Sequence, residues 1–249
     1  MRVIKVGGSK LEEPDFQEQV ARAVADLPGP MILVHGGGQA VDDVQVLLGS
    51  EPERVQGLRR TSPKALQAAL MVLCGQLSAQ LVVALVKNGM NAIGLSGFDT
   101  GLIRVRRLEH PTVDLGLVGE VVEVETELLR KLLNAGFLPV ISPLSLGLDG
   151  QIYNVNADSV AGAIAEAMGA SELAFVSDVS GVHRAGRLVS KLEVSETEHL
   201  IGNNEIRAGM VPKVRAGSDA LHGGVPQVRI VDLPGLASGG GTVLTVGGS

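Results

Sequence analysis

The run Met31-Ile32-Leu33-Val34-His35-Gly36-Gly37-Gly38 decides the reading of this chain. An apolar, partly β-branched segment of strand length ends abruptly in three glycines, and from Gln39 onward Ala40, Val41, Val44 and Leu47 return at helical spacing. The pattern is strand, glycine loop, helix. Glycines at such a junction leave backbone amides uncovered, and the positive end of the following helix favours an anion there. Taken alone, three glycines are as readily a tight turn. The reading sharpens because Val3-Ile4-Lys5-Val6-Gly7-Gly8-Ser9 ends the same way, with a lysine just before its glycines. Two such loops ending neighbouring strands could cradle a polyphosphate.

Working outward, Pro14 suits a first helical turn, and Phe16, Val20, Ala23, Val24 and Leu27 share one face before Pro28-Gly29-Pro30 stops the helix. Strand, helix, strand in this order gives parallel pairing with a right-handed crossover. Residues 49–60 read as a polar loop. From Pro63 a long helix carries Leu66, Leu70, Leu73, Leu77 and Leu81 as a stripe, which is core, or in an oligomer partly a surface for a partner subunit. Residues 91–95 form a short strand, and runs at 102–105 and 118–124 flank His110 and Pro111 as a hairpin projecting from the main sheet. Helical faces at 128–133, 160–168 and 211–221 then alternate with strands at 138–141, 173–176, 228–231 and 242–246, with a further β piece at 150–153 and a loop over 177–187. The fold class is therefore α/β, a three-layer sandwich whose central sheet is mostly parallel and covered on both faces. A soft boundary near Gly147 to Gly150 divides residues 1–149 from 150–249 within one continuous domain.

The chain has 249 residues, enough for one large α/β domain, with 45% hydrophobic and 19% charged residues. A net charge of −6 argues against a general nucleic-acid binder, which depends on a basic surface. Cys74 is the one cysteine, so no intrachain disulfide forms. Aromatic residues are scarce at 2%, which disfavours recognition by stacking. No stretch reads as the roughly 20 apolar residues of a membrane helix, and the start lacks the architecture of a signal peptide. Cytoplasm is the expected location. The sequence has no Gly-x-Ser-x-Gly elbow, no metal-ligand spacing among its histidines, no Gly-x-x-x-x-Gly-Lys-Ser/Thr loop and no Gly-x-Gly-x-x-Gly fingerprint. Phosphate handling must use the glycine loops after Lys5 and His35 in another geometry.

Six segments carry a family resemblance. Lys5-Val6-Gly7-Gly8-Ser9, Val34-His35-Gly36-Gly37-Gly38, Gln56-Gly57-Leu58-Arg59, Asn154-Val155-Asn156-Ala157-Asp158, Ser177-Asp178-Val179-Ser180-Gly181-Val182 and Gly209-Met210-Val211-Pro212-Lys213 resemble, in order, the motifs of N-acetylglutamate kinases in the amino acid kinase family. The resemblance spans Lys5 to Lys213. It implies the amino acid kinase fold, and transfer of the γ-phosphoryl group of ATP to the side-chain carboxylate of N-acetyl-L-glutamate, giving an acyl phosphate for arginine biosynthesis. Residues 1–149 would then bind the acyl substrate and form the dimer, and residues 150–249 the nucleotide. A carboxylate is already ionised at neutral pH, so the difficulty is bringing one anion onto another rather than removing a proton.

By resemblance, Lys5 and Lys213 would stabilise the phosphoryl group in flight and Asp158 would hold both lysines. Alone, each lysine reads as a solvated surface residue and Asp158 as a helix cap. Gly8, Gly37 and Gly38 would present amides to phosphate and to the reacting carboxylate. Arg59 would grip the substrate's α-carboxylate with Asn154 helping, although a bare arginine is more often a surface residue and a bare asparagine a turn residue. Ser9, Asp178, Val179, Ser180, Gly181, Val182, Gly209 and Met210 would bind the nucleotide. Magnesium should arrive with ATP, bridging phosphate oxygens, and no metal site of the protein's own is expected. His35 reads as loop structure.

The chain departs from the family where Ser78-Ala79 stand in place of a frequent Asn-Lys and Phe98 in place of a lysine, which bears on substrate fit more than on phosphoryl transfer. It begins directly with its first strand, whereas arginine-inhibited members carry an additional N-terminal helix, so a homodimer without that feedback is expected. One alternative is the related kinase of lysine biosynthesis, acting on aminoadipate or glutamate carried by a small acidic protein, which Arg104, Arg106 and Arg107 could face. Another is a sensor of the same fold without catalysis.

Overall fold

Two glycine-ended strands lie side by side at the centre of the molecule. The structure, a computed structural model, describes residues 1–247 apart from Gly8, Gln56 and Ala208, with Ser9 described in its backbone only. Strand β1 (Arg2–Val6) pairs in parallel with β2 (Met31–His35), Lys5 opposite Val34 and Val6 opposite His35. Both glycine loops therefore leave the sheet at one level. The crossover is α1 (Pro14–Ala25), which buries Phe16, Val20, Ala21 and Val24. Helix α2 (Gly38–Leu47) starts within the second loop, and the Glu12 carboxylate, from a 3-10 turn after the first loop, accepts from the Ala40 amide. That contact fastens the two loops together and supplies a negative charge where α2 carries uncapped amides.

The chain continues through β3 (Arg54–Val55), β4 (Leu58–Arg59), α3 (Pro63–Ala69), a π-helical segment (Leu70–Leu77), α4 (Ser78–Lys87), β5 (Ala92–Gly97), β6 (Ile103–Arg107), β7 (Gly119–Val124), α5 (Thr126–Asn134), β8 (Leu138–Gly147) and β9 (Ile152–Asn154). It then forms α6 (Ala157–Met168), β10 (Glu172–Val176), β11 (His183–Arg184), β12 (Arg187–Leu188), β13 (Lys191–Glu193), α7 (Val194–Gly202), α8 (Met210–His222), β14 (Val228–Val231), α9 (Leu233–Ser238) and β15 (Thr242–Thr245). Among the described residues the main sheet runs β13-β15-β14-β10-β1-β2-β8-β6-β7, with β5 and β9 also on β8. Pairing from β14 through β10, β1, β2 and β8 is parallel, and β7, β9 and the β14–β15 pair are antiparallel.

The alternation of side chains along the strands builds two cores. Val3, Ile32, Val34 and Phe175 face α6 and α8, packing on Val160, Ile164 and Val214, whereas Ile4, Val6, Leu33 and Val176 face α1 and α4. Burial on both faces explains why the central strands are mostly apolar, with Lys5 an exception on β1. The expected three-layer α/β sandwich is the observed one. The sheet runs unbroken across the 149/150 division, with β9 pairing on β8.

Several expectations change. The polar loop at 49–60 contains the β3–β4 hairpin, and the loop at 177–187 contains most of the β11–β12 hairpin. His35 is the fully buried last residue of β2, not loop. The continuous helix Pro63–Lys87 is, by length and composition, able to cross a membrane, contrary to the expectation that no stretch would be. Its Leu73, Leu77, Leu81 and Leu85 are buried against the rest of the chain, as in a core helix.

Candidate active site

A cavity of about 220 Å³ opens at the level where the two glycine loops leave β1 and β2, walled also by the β3–β4 hairpin and the start of α6. Lys5 projects from β1 on the α6 side. Its ammonium folds back over Gly7, where any β-carbon would strike Lys5 Nζ, so the glycine makes room for the cation. Lys5 Nζ lies 2.8 Å from Asp158 Oδ1. Asp158 is in the first turn of α6, but Asn156 is the cap, its side chain accepting from the Asp158 amide at 2.7 Å. The cap being filled by Asn156, the Asp158 carboxylate is free to serve the lysines. Its Oδ1 meets Lys5 off the hydrogen-bond axis, an ion pair without an aligned donor among the described residues.

Lys213 arrives from α8. Helices α6 and α8 approach closely because residue 162 is glycine, whose added methyl would sit 3.2 Å from Ala216 O. Lys213 Nζ consequently comes within 3.8 Å of Asp158 Oδ2 and donates to Gly209 O at 3.1 Å. Lys5, Asp158 and Lys213 are 6%, 5% and 9% exposed, so two cations share one carboxylate away from water. Burial lowers the Lys213 pKa; Asp158 opposes that, Lys5 reinforces it, and Asp178 opposes it. The net positive charge is poised for a further anion, and a dry setting strengthens that attraction.

On the other side of the cavity, Gly37 fits only as glycine, because a methyl there would run into Leu77 Cδ1 and sit 3.0 Å from Leu73 Cδ2. Arg59 forms an ion pair with Asp42 and donates to Gly38 O at 2.7 Å and Gln45 Oε1 at 3.3 Å. Asn154 donates to Thr61 Oγ1 at 3.1 Å. Gly37, Gly38, Arg59, Asn154, Lys5 and Asp158 thus line one cavity, its wall built from both sides. Sequence reasoning missed Arg54 and Asp42, paired at 2.5 Å, with Arg54 also on that wall. The available signal was an aspartate on the buried face of an amphipathic helix, a position an acid holds only when paired.

The remaining predicted residues lie beyond that wall. Gly8 is outside the described residues, as is the Ser9 side chain. Asp178 follows β10 and acts on the Lys213 charge. Ser180 is half-buried near His183, the Gly181 backbone is pressed against Thr242, and the Val182 amide donates to Thr242 Oγ1 at 2.8 Å with its side chain buried in the core. Val179 is exposed, and Gly209 and Met210 open α8 beside Lys213. His35 is kept neutral by burial, which pushes its pKa down to about 4, and its Nδ1 lies 3.1 Å from Gly36 O. Among the described residues no group of three His, Cys, Asp or Glu could hold a metal ion. Two arginines of the 103–124 hairpin are engaged locally, Arg106 with Glu120 and Arg107 with Asp114.

A three-layer α/β fold with glycine loops and buried lysines at one sheet edge defines a class of small-molecule kinases. The sequence model of the amino acid kinase family matches residues 1–232, and the chain belongs to that family. It is 50% identical to a protein of Roseiflexus sp. (strain RS-1) named acetylglutamate kinase, over 98% of this chain and 93% of that one. A Methanopyrus kandleri protein of the same name is 43% identical, over 98% and 100% of the two chains. Among solved structures, smu.665 from Streptococcus mutans UA159 superposes with a TM-score of 0.85 at 26% identity, covering 99% of this chain and 98% of that one. The N-acetylglutamate synthase of Neisseria gonorrhoeae, complexed with coenzyme A and N-acetyl-glutamate, gives 0.86 at 21% identity over 100% of this chain and 60% of that one, a likeness of fold.

Proposed function

We propose that this chain transfers the γ-phosphoryl group of ATP to the side-chain carboxylate of N-acetyl-L-glutamate, forming an acyl phosphate in arginine biosynthesis. The observation that carries the reading is the pair of buried lysines on one carboxylate at the edge of a glycine-walled cavity. Kinship with proteins named acetylglutamate kinase over nearly the whole chain supports the substrate.

The attacking carboxylate is an anion at neutral pH and needs no general base. Lys5 and Lys213 offset the repulsion between it and the γ-phosphate and hold the charge that spreads over the phosphoryl oxygens. Asp158 keeps the two ammonium groups together without taking a proton. Amides of the two glycine loops receive phosphate and carboxylate oxygens. Arg59 and Asn154 fix the substrate's α-carboxylate, and Asp178, the residues 179–182 and the start of α8 receive the nucleotide. Magnesium bound with the nucleotide would neutralise part of the phosphate charge, leaving Lys5 and Lys213 to meet the remainder.

Residues 1–149 form the acyl-substrate half and 150–249 the nucleotide half. The enzyme works in the cytoplasm as a homodimer, for which the exposed Met71, Val83 and Val86 on the 63–87 helix supply apolar surface. A carrier-bound substrate is not favoured, since the arginines that would meet an acidic carrier include Arg106 and Arg107, each already paired within its own hairpin.

Trapping the acyl phosphate with hydroxylamine tests the reading. The parent should yield hydroxamate from ATP and free N-acetyl-L-glutamate, and Lys213→Ala should lower kcat roughly 100- to 1,000-fold. Signals equal to background from both proteins would make the chain a sensor, and turnover of carrier-bound substrate alone would reject the substrate.

A further inference from the structure

We infer that Arg54 is a second carboxylate-binding arginine of the substrate site, and that Asp42 is the positioning residue holding both Arg54 and Arg59 for that role. The inference rests on the proposed amino-acid substrate and deepens it.

Hairpin β3–β4 sets Arg54 directly opposite Arg59. Like charges facing each other across two strands destabilise the pair, so the arrangement needs an anion between them. Asp42, 8% exposed on α2, supplies one, its Oδ2 accepting from Arg54 Nη2 at 2.5 Å and its Oδ1 from Arg59 Nη1. One carboxylate cannot neutralise two guanidinium groups. The nearby Glu53 does not make up the difference, because it pairs with Arg60 at 2.8 Å. Within the trio of Arg54, Arg59 and Asp42, one positive charge is left over, and both arginines line the cavity.

That excess is aimed at a single point. A methyl group built on Gly38 would lie 3.8 Å from Arg59 Nη2 and 3.9 Å from Arg54 Nη2. The two forks converge over the glycine loop, where a carboxylate could accept from both. Their freedom differs. Arg59 also donates to Gly38 O and Gln45 Oε1, whereas the partner of Arg54 among the described residues is Asp42 alone. With its side chain 46% exposed, Arg54 keeps donors for a ligand. Lys5 and Asp158 occupy another part of the same wall, so the reacting carboxylate goes to the lysine and the α-carboxylate to the arginine pair.

The test compares N-acetyl-L-glutamate with 4-acetamidobutyrate, which keeps the phosphorylated carboxylate and lacks the α-carboxylate. In the full-length enzyme Arg54→Met should raise the KM for N-acetyl-L-glutamate roughly 10- to 100-fold. The KM for ATP should hold, and the preference for N-acetyl-L-glutamate over 4-acetamidobutyrate should fall by the same factor. Arg54→Lys, a point charge without the fork, should recover part of that preference. Asp42→Asn should lower it as well, through KM more than kcat, because both arginines lose their anchor. A preference identical in the parent and Arg54→Met, or a loss confined to kcat or to the KM for ATP, overturns the inference and leaves the kinase reading standing. A parent that phosphorylates neither compound overturns both.

Discussion

Replacing Asp158 by asparagine separates two roles that a buried acid beside a nucleophile could play. At 3.8 Å and an effective dielectric of about 20, the Asp158 carboxylate favours the charged form of Lys213 by about 4 kcal/mol. Burial acts the other way and already lowers the pKa of this lysine, and Lys5 adds to the lowering. A lysine with a lowered pKa is charged at low pH and loses its charge as pH rises, at a point below its ordinary value of 10.5. Activity that needs this charge should therefore have a descending alkaline limb. In Asp158→Asn the neutral amide no longer supports the ammonium, so the limb should move to lower pH. Its kcat at the optimum should drop roughly 10- to 100-fold as two unmoored cations drift from the reacting oxygens. Leaving two buried cations without their anion also costs about 3–5 kcal/mol of stability. Folding is checked by circular dichroism, and the double variant Asp158→Asn, Lys213→Met should melt higher than Asp158→Asn while turning over more slowly. The assay is hydroxamate formation across pH. An alkaline limb that stays in place, or complete loss of turnover with both lysines intact in a folded protein, would refute the organising role and point to proton transfer.

Three further outcomes come from the packing. Gly37→Ala should destabilise the protein by about 1–3 kcal/mol in urea unfolding, because the new carbon must displace Leu77 and press Leu73. His35 takes up a proton in the unfolded chain near its ordinary value of 6.5 but in the folded protein only near 4. Stability is then unaffected above that window and falls as pH drops through it, by about 3 kcal/mol in all; His35→Asn should flatten the slope between those pH values. Glu172→Gln should cost about 3–5 kcal/mol in thermal melting, since it strips the charge that Arg229 meets at 2.6 Å and Arg2 at 2.9 Å.

Much of the fold was legible because its elements are long or periodic. Two apolar runs ending in glycines announced β1 and β2, and the spacing along α1, α6 and α8 announced their buried faces. Lys5, Asp158 and Lys213 were legible through the motif resemblance, and Asp158 would have been misread without it, because nothing in the residues says that Asn156, two positions earlier, takes the capping duty. The two-residue strands β3 and β4 have no period to detect, so Arg54 and Arg59 stayed hidden as neighbours. Asp42 was passed over for the same reason: its importance depends on a hairpin 12 and 17 residues further along the chain. His35 was misassigned because a histidine beside glycines looks like loop, whereas sheet pairing carries β2 through it. The leucine stripe predicted a helix but not its π-helical middle, since leucines spaced three and four apart do not distinguish the wider turn at Leu70–Leu77 from an α-helical one.

The bare contact between Gly162 and Ala216 reaches further than its own two helices. Residue 162 is one helical turn beyond Asp158, so the gauge between the carboxylate and the ammonium of Lys213 is set by main-chain atoms rather than by any ionisable group. A single added carbon at 162 would have to push its neighbour back by a few tenths of an ångström. Such a wedge would act as a mechanical dial, widening the triangle of two lysines and one carboxylate without altering any ionisable group, and, since the support Asp158 gives the Lys213 charge weakens with distance, drawing the lysine's titration to lower pH.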